Sequence, residues 1–455
     1  MEREKLGSRL GFILLSAGCA IGIGNVWRFP YITGLYGGGA FVMFYILFLI
    51  VFGVPVMTME FAVGRASQQS VMKSFRVLEK KGGKWHLHGY LAFAGNLLLM
   101  MFYTTVAGWM LHYFYLSLAG KYMGMQPDAV AGLFGGMLSD WKVMMFWMVL
   151  VVVLGMATCA IGLQKGVERI TKWMMGALIV IMVILAVHSI TMKGGGEGLR
   201  FYLVPDFGRM MEQGVGTTMV AAMNQSFFTL SLGIGCMAIF GSYIDKKHSL
   251  LGEAIRIAGL DTFVAITAGL IIFPACFAYH VSPDQGPSLI FITLPNIFAN
   301  MSGGRIWGAL FFLFMSCAAF TTVITVFENI MSMTRELFGW DRKKAAIINT
   351  VLIFVLSVPC VLGFNVWSGF QPFGEGTGVL DLEDFIVSNL LLPIGSLVYI
   401  IFCTTRYGWG FEKYLAEANA GEGLKIPKGL RLYLTWVLPI VIVVVFIQGL
   451  RGFFS

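Results

Sequence analysis

With 455 residues, 57% of them hydrophobic and only 12% charged, and a mean hydropathy of +0.79, the chain lies far from soluble globular proteins, in which roughly a quarter of residues carry charge. A net charge of +8 would suit a nucleic-acid partner, but the basic residues are spread over short connectors and form no patch, which excludes that class. The uninterrupted apolar blocks Phe41 to Pro55, Met144 to Ile161 and Leu434 to Ile447 instead approach the ~20 residues that a membrane-spanning helix needs.

In chain order, the helix period and the glycine, proline and charge punctuation predict an all-α, polytopic membrane protein of about 11 transmembrane helices, centred roughly on residues 22, 52, 103, 153, 178, 230, 265, 320, 353, 393 and 441. The first block carries Asn25, Arg28 and Pro30 and lacks a small-residue cleavage pattern, so it is expected to stay in the mature chain. The connector 192–214 is glycine-rich and polar, and 279–305 is long enough to hold a short helix; both are candidate lids. The last connector, 411–428, is amphipathic. Nothing between the spans is large enough for a soluble domain, so residues 1–455 are expected to form one integral membrane domain.

The basic residues alternate with these spans. Arg3, Lys5 and Arg9, then Arg65, Lys73, Arg76, Lys80, Lys81 and Lys84, then Lys165, Arg169 and Lys172 fall on one side, and most later ones follow. The other side holds few, among them Lys121, Lys142, Lys193 and Arg200. The asymmetry predicts a cytoplasmic N-terminus and, with an odd number of spans, a C-terminus outside. All seven cysteines lie in apolar blocks, and no structural disulfide is expected. The six histidines are scattered without metal-ligand spacing or a nucleophile at matching depth, which argues against an enzyme.

An internal echo stands out. Gly22-Ile23-Gly24 in the first span is matched by Gly233-Ile234-Gly235 in the sixth. Glycine also serves close packing in membrane helices, but glycine-interrupted spans at corresponding positions of two halves point to a transporter built from inverted repeats. A helix broken inside the bilayer frees backbone groups that lipid cannot satisfy, so the break must line a protein cavity. Polar residues gather at that depth: Asn25, Thr229, Ser231, Asp261, Thr321 and Thr322.

These residues sit in longer signatures. Arg9-Leu10-Gly11-Phe12, Ala17 through Pro30 and Gly37-Gly38-Gly39-Ala40-Phe41, with Gly53-Val54-Pro55, Glu60, Gly64-Arg65, Gln225 through Gly233 and Asp384-Phe385, resemble the neurotransmitter:sodium symporter family in its bacterial amino-acid transporter branch, over essentially the whole chain. The resemblance implies two inverted five-helix repeats (a LeuT-like fold), about 9–190 and 215–404, with broken first and sixth helices and an extra span at about 430–450. It implies one sodium site from the Ala20 carbonyl, Asn25, Thr229 and Asp261, and a second from the carbonyls of Gly18, Ile21 and Ala318 with the hydroxyls of Thr321 and Thr322, two Na⁺ in all. Hard oxygen ligands suit such an ion. On residues alone, the favoured reading of Thr321 and Thr322 is hydroxyls that bond back to the preceding helical turn.

The same resemblance implies a substrate site formed by Ala20, Gly22, Gly24, Tyr103, Phe228, Thr229, Ser231, Ile234, Thr322 and Val326, with Leu99 and Val323 beside them. Gly22 leaves room for a substrate carboxylate, and the apolar, aromatic lining suits a hydrophobic or aromatic amino acid. Arg28 and Asp384 are implied as an outer gate, and Arg3, Glu336 and Tyr243 as an inner one, with Glu60 satisfying freed amides. Ala265 replaces a serine found in chloride-dependent relatives, so Asp261 is expected to make chloride dispensable. Leu6 and Gly176 depart from a tryptophan and a proline of the family. The expected function is sodium-coupled amino-acid import by alternating access; the alternative is a ligand-gated channel or solute sensor on the same scaffold.

Overall fold

The computed structural model describes residues 4–280 and 288–454, excepting the side chains of 451–454. Among these, nine helices are long and apolar enough to cross a membrane: Gly39–Ser67, Leu87–Leu118, Trp141–Ile161, Leu163–Ile190, Leu250–Ala278, Gly304–Phe338, Arg342–Gly363, Val379–Thr404 and Lys428–Leu450. They are the second to fifth and the seventh to eleventh predicted spans. The first is a pair, Arg9–Ala20 and Gly24–Leu35, bent by 54°. The sixth is divided into Val215–Thr229 and Cys236–Gly241; neither half approaches the ~20 residues of a full crossing, so the two must serve as one interrupted span.

Five helices widen just ahead of a proline. Pro30, Pro55, Pro295, Pro393 and Pro439 each follow closely on a π-helical turn, at 24–28, 49–53, 289–293, 386–391 and 433–437. Proline removes one backbone donor and crowds the preceding turn, and a widened turn just before it relieves that crowding without ending the helix. The fifth span, by contrast, continues as one helix through Gly176, the position of the missing proline.

The eighth span occupies the centre, with 83% of its apolar window buried, whereas the eleventh, at 17%, lies on the rim. Exposed Trp173, Leu432 and Trp436 belong to the lipid-facing perimeter. On one face of the membrane the connectors fold into Pro127–Ser139, Gly195–Leu203, Phe207–Gln213 and Leu289–Asn300; residues 281–287 of the second expected lid lie outside the described residues. The opposite face carries Val71–Leu78 and Phe411–Ala418.

There, Arg65 at the end of the second span is enclosed completely. Its Nε donates to Glu417 Oε1 at 2.7 Å, Nη1 to the His248 carbonyl at 2.8 Å, and Nη2 to the Glu417 carbonyl. Lys246 adds a second cation to Glu417 at 2.8 Å. This ties the tenth-to-eleventh connector to the second span and to the sixth-to-seventh connector. Removing one partner of a buried pair strands the other, at a cost of about 3–5 kcal/mol. Arg65→Met is therefore expected to lower the melting temperature in detergent markedly, and the double variant Arg65→Met/Glu417→Met to recover part of the loss.

Candidate functional site

The breaks in the first and sixth spans face each other, and each leaves main-chain groups outside any helix. In the sixth, Ser231, Gly233 and Gly235 take φ values of +51°, +97° and +76°, a left-handed alternation that no helix can contain and that costs a serine of order 1–3 kcal/mol. Gly233 is also required by contact, since a Cβ there would lie 2.2 Å from the Leu392 carbonyl oxygen.

Side chains from other spans satisfy the freed groups one by one. Glu60 of the second span accepts from the amides of Gly233 at 2.5 Å and Met237 at 3.2 Å, the role expected of it. Asn96 of the third donates to the Ile234 carbonyl at 2.8 Å. In the first span, the Gly22 amide donates to Asn25 Oδ1 at 3.0 Å and the Ile23 amide to the Tyr103 hydroxyl at 2.9 Å. The Gly24 carbonyl accepts from Gln225 at 2.9 Å, and the Cys19 carbonyl from Ser231 at 3.3 Å.

Beside this crossing sits Asp261, fully buried in the seventh span. Its carboxylate receives Asn25 Nδ2 at 2.8 Å, the Thr229 hydroxyl at 3.1 and 3.2 Å, and the Tyr45 hydroxyl at 3.3 Å. Among the described residues, no Lys, Arg or His pairs with it. Of the four residues expected at the first ion site, Asn25 and Thr229 thus bond the carboxylate of a third, Asp261, and the fourth, Ala20, lines the central cavity.

The second expected set also converges. Thr322 Oγ1 is 3.2 Å from the carbonyl oxygens of both Gly18 and Ile21, across to the first span, whereas Thr321 Oγ1 bonds back to Ala318 O at 2.9 Å. Thr321 therefore shows the ordinary back-bond and Thr322 does not. Two hydroxyls and three carbonyls make a neutral, all-oxygen donor set of the kind that holds a monovalent cation.

Between the two groups lies a small cavity lined by Cys19, Ala20, Gly22, Gly24, Leu99, Tyr103, Phe228, Ser231, Ile234, Thr322 and Leu392. Gly22 lets the wall close in here, because a Cβ would meet the Tyr103 hydroxyl at 2.2 Å and Thr322 Oγ1 at 2.5 Å and push one of them aside. Thr229, Val323 and Val326, expected among the substrate residues, do not line it: Thr229 points at Asp261, and Val323 and Val326 are buried in the eighth span behind the wall. Cys19 and Leu392 were not anticipated. Leu392 is placed by the π-helical turn and Pro393, which no local pattern links to the first or sixth span.

On one side of the cavity, the Arg28 guanidinium lies over the Phe228 ring, 4.2 Å from its centroid. Arg28 Nη1 is 3.8 Å from Asp384 Oδ1, and Ser388 bridges them, accepting from Arg28 at 3.1 Å and donating to Asp384 at 2.6 Å. On the other side, Arg3 lies outside the described residues. Glu336 accepts from the Ser70 amide at 2.8 Å, at the start of Val71–Leu78. Tyr243 donates to Glu328 at 3.1 Å and meets Ser332 at 2.8 Å. Arg342 joins Glu328 at 2.5 Å and Glu4 at 3.0 Å, and Arg335 joins Glu4 at 3.0 Å. The closure on this side thus includes Glu4, Glu328, Arg335 and Arg342, whose role was not foreseen, and Leu6 is half-buried against it.

Two interrupted helices, an uncompensated carboxylate and a central cavity closed by polar contacts on both sides define a membrane carrier. The chain belongs to the sodium:neurotransmitter symporter family, which it matches over residues 3–126 and 134–454. It is 32% identical to the sodium-dependent transporter YhdH of Bacillus subtilis over 97% of this chain and 96% of that one. It is 25% identical to the sodium-dependent serotonin transporter of Drosophila melanogaster over 99% of this chain and 77% of that one. Among solved structures, MhsT in complex with L-phenylalanine superposes with a TM-score of 0.88 at 37% identity, over 98% and 99% of the two chains. The protein is a multi-pass membrane symporter that uses sodium, not an enzyme.

Each buried amide that loses its acceptor costs about 1–3 kcal/mol. Glu60→Ala, which strands the Gly233 and Met237 amides, is therefore expected to melt at a clearly lower temperature than Glu60→Gln, which keeps one acceptor oxygen. Thermal denaturation of the purified variants in detergent reads the difference.

Proposed function

We propose that this protein imports a hydrophobic or aromatic amino acid together with two Na⁺ ions by alternating access. The observation that carries the reading is Asp261: a fully buried carboxylate held by Asn25, Thr229 and Tyr45 with no cationic side chain among the described residues. A charge at that depth costs at least about 2.5 kcal/mol unless paired, and an alkali ion among Asp261, Asn25, Thr229 and the Ala20 carbonyl supplies the partner. The set Gly18, Ile21, Ala318, Thr321 and Thr322 would hold the second ion.

The cavity lining supports the substrate class. The main chain near Gly22 and the Tyr103 hydroxyl suit a carboxylate, Ser231 a substrate amine, and Leu99, Phe228, Ile234 and Leu392 an apolar side chain. MhsT, whose solved complex contains L-phenylalanine, supports an amino acid. Arg28 with Asp384, through Ser388, would act as the outer gate, and Tyr243, Glu336 and the Glu4 network as the inner one. The repeats would run over about 9–190 and 215–404 with an extra span at about 430–450, in a bacterial inner membrane with the N-terminus cytoplasmic. Two charges crossing about 100 mV supply roughly 4.6 kcal/mol, about a thousandfold accumulation.

Uptake of labelled L-phenylalanine into proteoliposomes tests the proposal. Accumulation above equilibrium is expected only with an inward sodium gradient; equilibration without sodium would refute symport. Fixed negative charge at Asp261 is further expected to make chloride dispensable, so replacing chloride by gluconate should leave uptake unchanged. Asp261→Asn should raise the half-saturating sodium concentration by about tenfold or more, the factor that ~1.4 kcal/mol gives.

A further inference from the structure

Asn96, in the third span, is fully buried and uses its whole hydrogen-bonding capacity. Its Nδ2 donates to the carbonyls of Ala92 at 2.7 Å and Ile234 at 2.8 Å. Its Oδ1 accepts from Asn329 Nδ2 of the eighth span at 3.0 Å and from the Cys236 thiol at 3.4 Å. Asn329 Nδ2 also reaches Cys236 Sγ at 3.7 Å. Neither asparagine lines the cavity. They grip the carbonyl of Ile234, a residue that lines the cavity, and the Cys236 thiol two positions on.

The grip is tight on the backbone side as well. A Cβ on Gly95 would lie 2.8 Å from Ile234 Cγ2, so the third span at 95–96 both presses on the Ile234 side chain and bonds its carbonyl. Leu99 and Tyr103, one and two turns further along the same helix, line the cavity. The distance between Ile234 and Leu99 is therefore set through Asn96. Leucine fits the same volume but leaves the Ile234 carbonyl unpaired and the Asn329 amide with only the Cys236 sulfur at 3.7 Å, and aspartate keeps the acceptor while losing the donor.

We propose that Asn96, braced by Asn329, is a positioning residue that fixes Ile234 and thereby sets which side-chain size the carrier accepts. Its selectivity arm rests on the amino-acid reading above; its structural arm does not. In the intact protein, Asn96→Leu and Asn96→Asp are expected to lower the preference for L-phenylalanine over L-valine, measured as the ratio of apparent affinities in sodium, by about tenfold, which is ~1.4 kcal/mol. Half-saturation by sodium should stay within about twofold in Asn96→Asp, because no ion ligand has moved, a split that general destabilisation would not produce. Independently of any substrate, alkylation of Cys236 by N-ethylmaleimide, followed by mass spectrometry, should quicken at least fivefold in Asn96→Leu, where the thiol loses its acceptor. Asn329→Leu should act in the same direction and, combined with Asn96→Leu, add little further. Wild-type selectivity ratios in both Asn96 variants, or an unchanged Cys236 rate in Asn96→Leu, would overturn the proposal. A wild-type protein that binds neither amino acid would instead count against the amino-acid reading, leaving the Cys236 rate to decide on Asn96.

Discussion

A peptide group inside a membrane has no water to bond, so every amide and carbonyl that leaves a helix there must find a partner within the protein. The first and sixth spans release such groups where they cross. The surrounding architecture is organised to meet them: Glu60 from the second span, Asn96 and Tyr103 from the third, Gln225 and Ser231 from the sixth itself, and Thr322 from the eighth. Spans far apart in sequence are thereby held to one point, and the central eighth span is buried around it.

The same bonds would let the site bind and release. Hydroxyls of Thr322 and Tyr103 bond main-chain atoms of the first span, the same atoms that an ion or carboxylate would use. Exchange of one partner for another leaves the number of satisfied groups unchanged, so neither state strands a buried dipole. The contacts on either side differ in character. Around Arg28 they run through a serine and an aromatic face with partly exposed charges, where an ion pair contributes little. Around Glu328 and Arg342 they are short and enclosed, where breaking one partner away costs more.

Much of this was legible in the sequence. The number and order of spans followed from apolar length, and the two interruptions from the Gly-Ile-Gly echo, because backbone freedom is written locally. Asn25, Thr229 and Asp261 could be grouped by depth, but their meeting on one carboxylate rested on family resemblance. What escaped were side chains on regular helices that meet across long separations. Asn96 and Asn329 are 233 positions apart, and no periodicity joins them; the available signal was only that an amide is costly in an apolar span. Val326 lies one turn beyond Thr322 on the same helix and is not among the residues that line the cavity, a distinction that helical spacing does not draw. The missing proline at Gly176 was legible; the fifth span runs as one α-helix over Arg169–Ile190 after a π-helical turn at 163–168.

The central claim is that the crossing of the two broken spans binds sodium and a small zwitterion together, each completing the other's site. Equilibrium binding of radioactive sodium to the purified protein, with and without saturating L-phenylalanine in a choline background, tests it directly. The account predicts saturable binding that the amino acid strengthens and potassium does not displace. Sodium binding that is absent, or indifferent to the amino acid and to Asp261→Asn, would contradict it.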